Sequence, residues 1–307
     1  YVISADNILN NENMHQLGIN IPPGMPYPFR LGRINPAKTY TKSIKTYPEN
    51  ADVVVSYTFD NAPGSYANDG TTADSRYVTV EVQHSFIKMP DDNFKPRYDD
   101  PRVGYFTHQV NDMTTTASVN YRDLIHRWRL EKKDPTAAIS EPVKPITWWI
   151  ENTTPLEFRE TIMKAALIWN VAFEPLGFKN AIEVKIQPDT ATWDAGDIRY
   201  NVLRWTSSPN PPFGGYGPSF VNPKTGEILG ADIMLEWIFV TNRVAAEEVY
   251  KPGGEAMLDN HEFCGVGHTM HMQSLFGTEV LKAQGANTVE INDLVKQSLY
   301  YLILHEM

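Results

Sequence analysis

The sequence closes on His305-Glu306-Met307, which is how an H-E-x-x-H motif begins. On a helix, histidines four positions apart share one face and can hold one zinc ion. The Glu beside the first histidine then reaches a zinc-bound water and acts as general base. Only the first two letters of that motif stand here, and a His-Glu pair alone also fits an ordinary helix surface. A second group is His261, Cys264, His268 and His271. These four could surround one zinc as a closed tetrahedron, but the intervening glycines suit loop packing and hydrogen bonding equally well. Asp194, Asp197, Asp232 and Glu236 could supply a pair of glycosidase carboxylates, whose separation sequence does not give. There are seven tryptophans. A row of exposed ones could stack on sugars, but the spacing of Trp148, Trp149 and Trp169 predicts core positions. Neither a G-x-S-x-G elbow nor a Walker loop occurs.

The elements that must position these groups can be read from periodicity. Asn292 is expected to cap a final helix, with Asp293 at its positive end. Leu294, Val295, Leu299, Leu302 and Ile303 give that helix one buried stripe. No Gly, Pro, Lys or Arg closes it, so the natural protein is expected to continue past Met307. Tyr1 in place of an initiator Met likewise predicts a fragment or a mature chain. Upstream, Thr154-Pro155-Leu156-Glu157 reads as a capping box with Pro at the first helical position. Ile162, Ala165, Ala166, Trp169, Ala172, Phe173 and Leu176 should line one face of that helix, and Gly177 should end it. Strands are expected at 38–46, 52–59, 76–88, 102–108, 146–150, 181–186, 198–205 and 228–235. The segment 241–286 carries mixed signals. The charged, Pro-punctuated stretch 132–145 reads as a linker. The expected layout is therefore a β-rich domain over 1–131, a linker over 132–145 and an α/β domain over 146–307.

Composition narrows the function classes. With 307 residues, 27 basic and 37 acidic, the net charge is −10. That balance argues against a nucleic-acid binder, which needs a basic stripe for phosphates. No apolar run is long enough for a transmembrane helix. The single cysteine, Cys264, excludes an internal disulfide and an all-cysteine zinc site. It suits a cytoplasm and a bacterial periplasm alike.

Several segments resemble one family. Arg102-Val103-Gly104-Tyr105-Phe106, Arg127-Trp128-Arg129-Leu130 and Lys132-Lys133-Asp134-Pro135 match its first domain and exit. Trp169 through Phe178 match its first protease helix. Asp197 through Trp205 and Gly226 through Ile233 match two of its strands. The family is that of metzincin-like zinc metalloproteases in large secreted or periplasmic bacterial proteins, in which a β-rich domain precedes the protease. The resemblance implies a mixed twisted sheet in the second domain, incomplete within this sequence. It implies that His305 is the first zinc ligand and Glu306 the general base, with further histidines four and ten positions beyond His305. With one imidazole, this chain alone is expected to bind Zn2+ weakly or not at all and to be inactive. The resemblance also implies a peptide or protein substrate that adds as a strand along 216–221, at Tyr216, Gly217, Ser219, Phe220 and Val221. As a plain surface loop, Gly214-Gly215-Tyr216-Gly217-Pro218 would have no such role. The alternative function is a non-catalytic secreted protein that binds peptides or glycans on a protease-like remnant.

Overall fold

A computed structural model describes residues 6–11, 33–60, 77–91, 93–208, 215–237 and 265–307. The fold is mixed α+β and divides into two compact units, Tyr1–Lys88 and Met89–Met307.

The first unit contains a short helix α1 (Asp6–Leu9) and strands β1 (Arg33–Ile34), β2 (Tyr40–Thr46), β3 (Asn50–Asp60) and β4 (Tyr77–Ile87). All pairings are antiparallel. β1 and β2 lie end to end along one side of β3, and β4 lies along the other. The alternating Val53, Val55, Tyr57 and Phe59 put four apolar side chains on one face, where they bury with Leu9. Tyr57 is fully buried, so its hydroxyl needs partners. It donates to the Leu9 carbonyl and meets His84 Nε2 at 2.7 Å. Tyr57→Phe leaves that carbonyl unpaired. It is expected to destabilise the protein by about 1–2 kcal/mol, seen as a lower urea midpoint.

The second unit opens with a hairpin of β5 (Thr107–Asn111) and β6 (Tyr121–Ile125). Its main sheet then forms from β7 (Ile146–Ile150), β8 (Ile182–Ile186), β9 (Asn201–Thr206), β10 (Gly215–Tyr216), β11 (Ser219–Val221) and β12 (Ile228–Glu236). The order is β8-β7-β9-β12, all parallel, closed by an antiparallel edge in which β10 and β11 both pair with β12. Between β7 and β8 lie α2 (Leu156–Leu167), α3 (Asn170–Phe173) and a 3-10 turn over Glu174–Leu176. Helices α4 (Gly265–Ala283) and α5 (Thr288–Glu306) follow β12. Alternation along the strands sends Ile146, Trp148, Ile150, Leu203, Ile233 and Leu235 to one face. Phe158, Ile162, Ala165 and Ala166 of α2 cover that face together with Val295, Leu299, Leu302 and Ile303 of α5. At the far edge, the Asn170 side chain bonds both the N–H and the C=O of Ile182, blunting exposed strand backbone.

The structure departs from the sequence expectations at definite points. Compactness divides the chain between Lys88 and Met89, a different division from the compositional linker at 132–145. Residues 127–131 run beside the start of β12, with Arg127 N–H on Gly226 O at 3.0 Å and Arg129 bidentate on the buried Glu227. The 132–145 stretch is itself tied down. Ser140 N–H bonds Gly177 O, and Lys132 Nζ bonds the carbonyls of Ala137 and Ala138. Its polar residues satisfy local turns rather than water alone.

Of the expected strand at 102–108, only its end enters β5. The long helix expected from 155 to 176 breaks into three pieces, and Leu176 is exposed rather than packed. Gly177 does end the run, with φ of 84°. The N-cap of α2 is Pro155 and has no side-chain cap. Arg159 instead ties down the chain ahead of the helix, donating to the carbonyls of Thr154 and Asn152. Asn287, not Asn292, caps α5. Its side chain accepts from Val289 N and Glu290 N, and Glu290 bonds back to Asn287 N–H in a complete capping box.

Candidate active site

The C-terminal turn of α5 carries His305 and Glu306. Of the predicted stripe, Val295, Leu299, Leu302 and Ile303 are buried and Leu294 is half-buried, which fixes the rotation of the helix about its axis. That rotation leaves His305 exposed and turns Glu306 inward, half-buried. α5 packs against β10 at this end. The approach is very close. A Cβ on Gly215 would stand 2.9 Å from Glu306 Oε1, and one on Gly217 would stand 2.7 Å from the Glu306 carbonyl oxygen. Burial pushes the Glu306 carboxyl above its ordinary range, and the neighbouring His305 pulls it partly back.

The expected strand-addition residues lie on the antiparallel edge that Glu306 abuts. Tyr216 pairs with Met234, Ser219 with Ala231, Phe220 with Gly230 and Val221 with Ile228. Gly217 and Pro218 interrupt the edge, and Pro218 O still accepts from Asp232 N–H at 3.1 Å. The turn at 222–226 returns the chain into β12. There Asn222 O accepts from Thr225 N and Gly226 N, and Asn222 Oδ1 accepts from Lys224 N.

His261 and Cys264 lie outside the described residues, as do the side chains of His268 and His271 on α4. Among the described residues no three His, Cys, Asp or Glu side chains gather as a metal site. The carboxylates proposed for sugar chemistry have local duties. Asp194 accepts from Gly196 N–H, and buried Asp197 is paired with Arg199. Glu236 is buried and accepts from Thr206 Oγ1, Ser208 N–H and Ser208 Oγ. Asp232 differs, because burial pushes its carboxyl up to about 6. All seven tryptophans are buried or half-buried. Trp193 stacks flat on Tyr200 at 3.8 Å and Trp149 stands edge-on to both, so these faces are largely used within the protein.

Sequence reading missed Gly215 and its approach to Glu306. The available signal was the Gly-x-Gly spacing around Tyr216, since residues two apart on an extended strand face the same way. Residues 1–133 match a family model described as a domain of unknown function, DUF5117. No curated protein and no solved structure matches the chain. No helix among the described residues is long and apolar enough to cross a membrane.

Proposed function

We propose that this chain is part of a zinc-dependent endopeptidase in which His305 is a metal ligand and Glu306 the general base. The observation that carries this reading is the meeting of α5 with the antiparallel sheet edge. It sets a half-buried carboxylate beside strand backbone with which an extended peptide could pair. Main-chain pairing at Tyr216, Gly217, Ser219, Phe220 and Val221 would hold a peptide or protein substrate and orient its carbonyls. Burial raises the proton affinity of Glu306, which suits a group that takes a proton from water.

The donor set fits zinc in part. His305 supplies one imidazole, and tetrahedral catalytic sites use three protein ligands and one open position. The reading assigns the other two imidazoles to positions four and ten beyond His305. When bound, zinc supplies Lewis acidity to a water and to a peptide carbonyl. The same reading assigns the protein to a secreted or periplasmic bacterial compartment.

Metal analysis of the full-length protein tests the proposal. The expected result is one zinc per chain, lost in His305→Ala, with peptide hydrolysis that stops on chelation and returns with added zinc. A zinc-free protein that binds an extended peptide or a glycan without cleaving it would establish the non-catalytic alternative.

A further inference from the structure

We propose that Gly215 and Gly217 are positioning residues that set the stance of Glu306 at the sheet edge. This role rests on the endopeptidase reading, but the geometry behind it does not. The two glycines are two residues apart on an extended edge, so the Cβ atoms they lack would project to the same side. Both would strike one residue. At position 215 a Cβ would stand 2.9 Å from Oε1, 3.0 Å from Cγ and 3.2 Å from Cδ of Glu306. At position 217 it would stand 2.7 Å from the Glu306 carbonyl oxygen and 3.6 Å from Ile233 Cγ1. Neither glycine has a left-handed φ, so space and not a turn is what requires them. Tyr216, between them, is exposed.

One glycine therefore admits the carboxylate and the other admits the helix backbone that carries it. Together they let the last turn of α5 lie directly on strand backbone, without an intervening layer of side chains. Any larger residue at 215 must swing the carboxylate away from the edge. At 217 it must lift the helix end itself, because a backbone carbonyl cannot turn aside as a side chain can. For a group that must meet a substrate paired along this edge, a displacement of about 1 Å costs on the order of 100-fold in rate.

Two measurements on the full-length protein test this. The first is a double-mutant cycle in urea with Gly215→Ala, Glu306→Ala and the double variant. Gly215→Ala is expected to lower the unfolding midpoint in the wild-type background and to lower it much less where Glu306→Ala has cleared the space. Equal losses in both backgrounds would overturn the proposed contact. The second is steady-state kinetics with a peptide substrate. Gly215→Ala is expected to lower kcat on the order of 10- to 100-fold with KM and zinc content unchanged, and Gly217→Ala at least as much. An unchanged kcat in Gly215→Ala, with wild-type hydrolysis intact, would overturn the positioning role and leave the endopeptidase reading standing. If the wild-type protein has neither zinc nor hydrolysis, that reading fails and this role fails with it. In that event the urea cycle still reports whether the contact exists.

Discussion

Glu306→Gln in the full-length protein is expected to lower kcat for peptide hydrolysis on the order of 10²- to 10⁴-fold while leaving zinc content close to wild type. Glutamine has nearly the same shape, so it can occupy the slot against Gly215 without moving α5. It cannot take a proton from water. The slot already disfavours the ionised carboxylate, since burial is the main cause of its raised pKa. Removing that charge should therefore not lower the urea midpoint. The combination is informative because a merely structural Glu306 would give the reverse pattern, with altered stability and intact turnover. Glu306→Gln turning over peptide at the wild-type rate would remove Glu306 from the mechanism even if zinc were bound.

Much of the scaffold around Glu306 was legible because it follows from periodicity. The apolar run of β7 begins and ends where its sequence predicts, at Ile146 and Ile150. Four of the five residues of the stripe on α5 are buried as their spacing requires. What periodicity cannot supply is the choice among competing local signals. Asn287 and Asn292 are both acceptable N-caps, and the structure uses Asn287, whose partner three residues on is Glu290. Thr154 has a capping-box sequence, but Arg159 bonds its carbonyl and the Thr154 hydroxyl is left without a partner. Helix α4 was hidden by Gly265, Gly267 and Gly277, which weaken any helical signal. Compactness and composition divide the chain at different places. Residues 127–131 look like the end of a β-rich domain, yet Arg127 and Arg129 hydrogen-bond to Gly226 and Glu227, about a hundred residues away in sequence. The matched family model ends at 133, near the sequence-based boundary, whereas compactness divides the chain at 88. Of the candidate site, the residue types at 305 and 306 were visible. Their meeting with Gly215 and Gly217 was not, because it joins segments that only the sheet brings together.

Asp232→Asn is expected to stabilise the protein at neutral pH and to flatten the dependence of its stability on pH. Asp232 lies on the face of the main sheet opposite the helices, in register with Val202, whose N–H bonds Asp232 Oδ1 at 3.0 Å. That bond and Arg204 favour the carboxylate, but burial outweighs both, and Glu151 adds repulsion. The result is a carboxyl raised from 3.8 to about 6. The folded protein therefore holds a proton that the unfolded chain releases near pH 4. Stability from this group is complete below the unfolded value and is lost as pH rises through about 6. A shift of about two units corresponds to roughly 3 kcal/mol at neutral pH, at 1.36 kcal/mol per unit. Asparagine keeps the acceptor for Val202 N–H and removes the charge. It adds an amide that needs its own partners, so the expected gain at pH 7 is smaller, about 1–3 kcal/mol. At pH 4, where Asp232 is largely protonated in the folded state, the two proteins should differ little. Urea unfolding of both across pH 4 to 7 checks this. A gap that fails to open as pH rises would mean that Asp232 is ionised without cost and that Arg204 and Val202 compensate its burial fully.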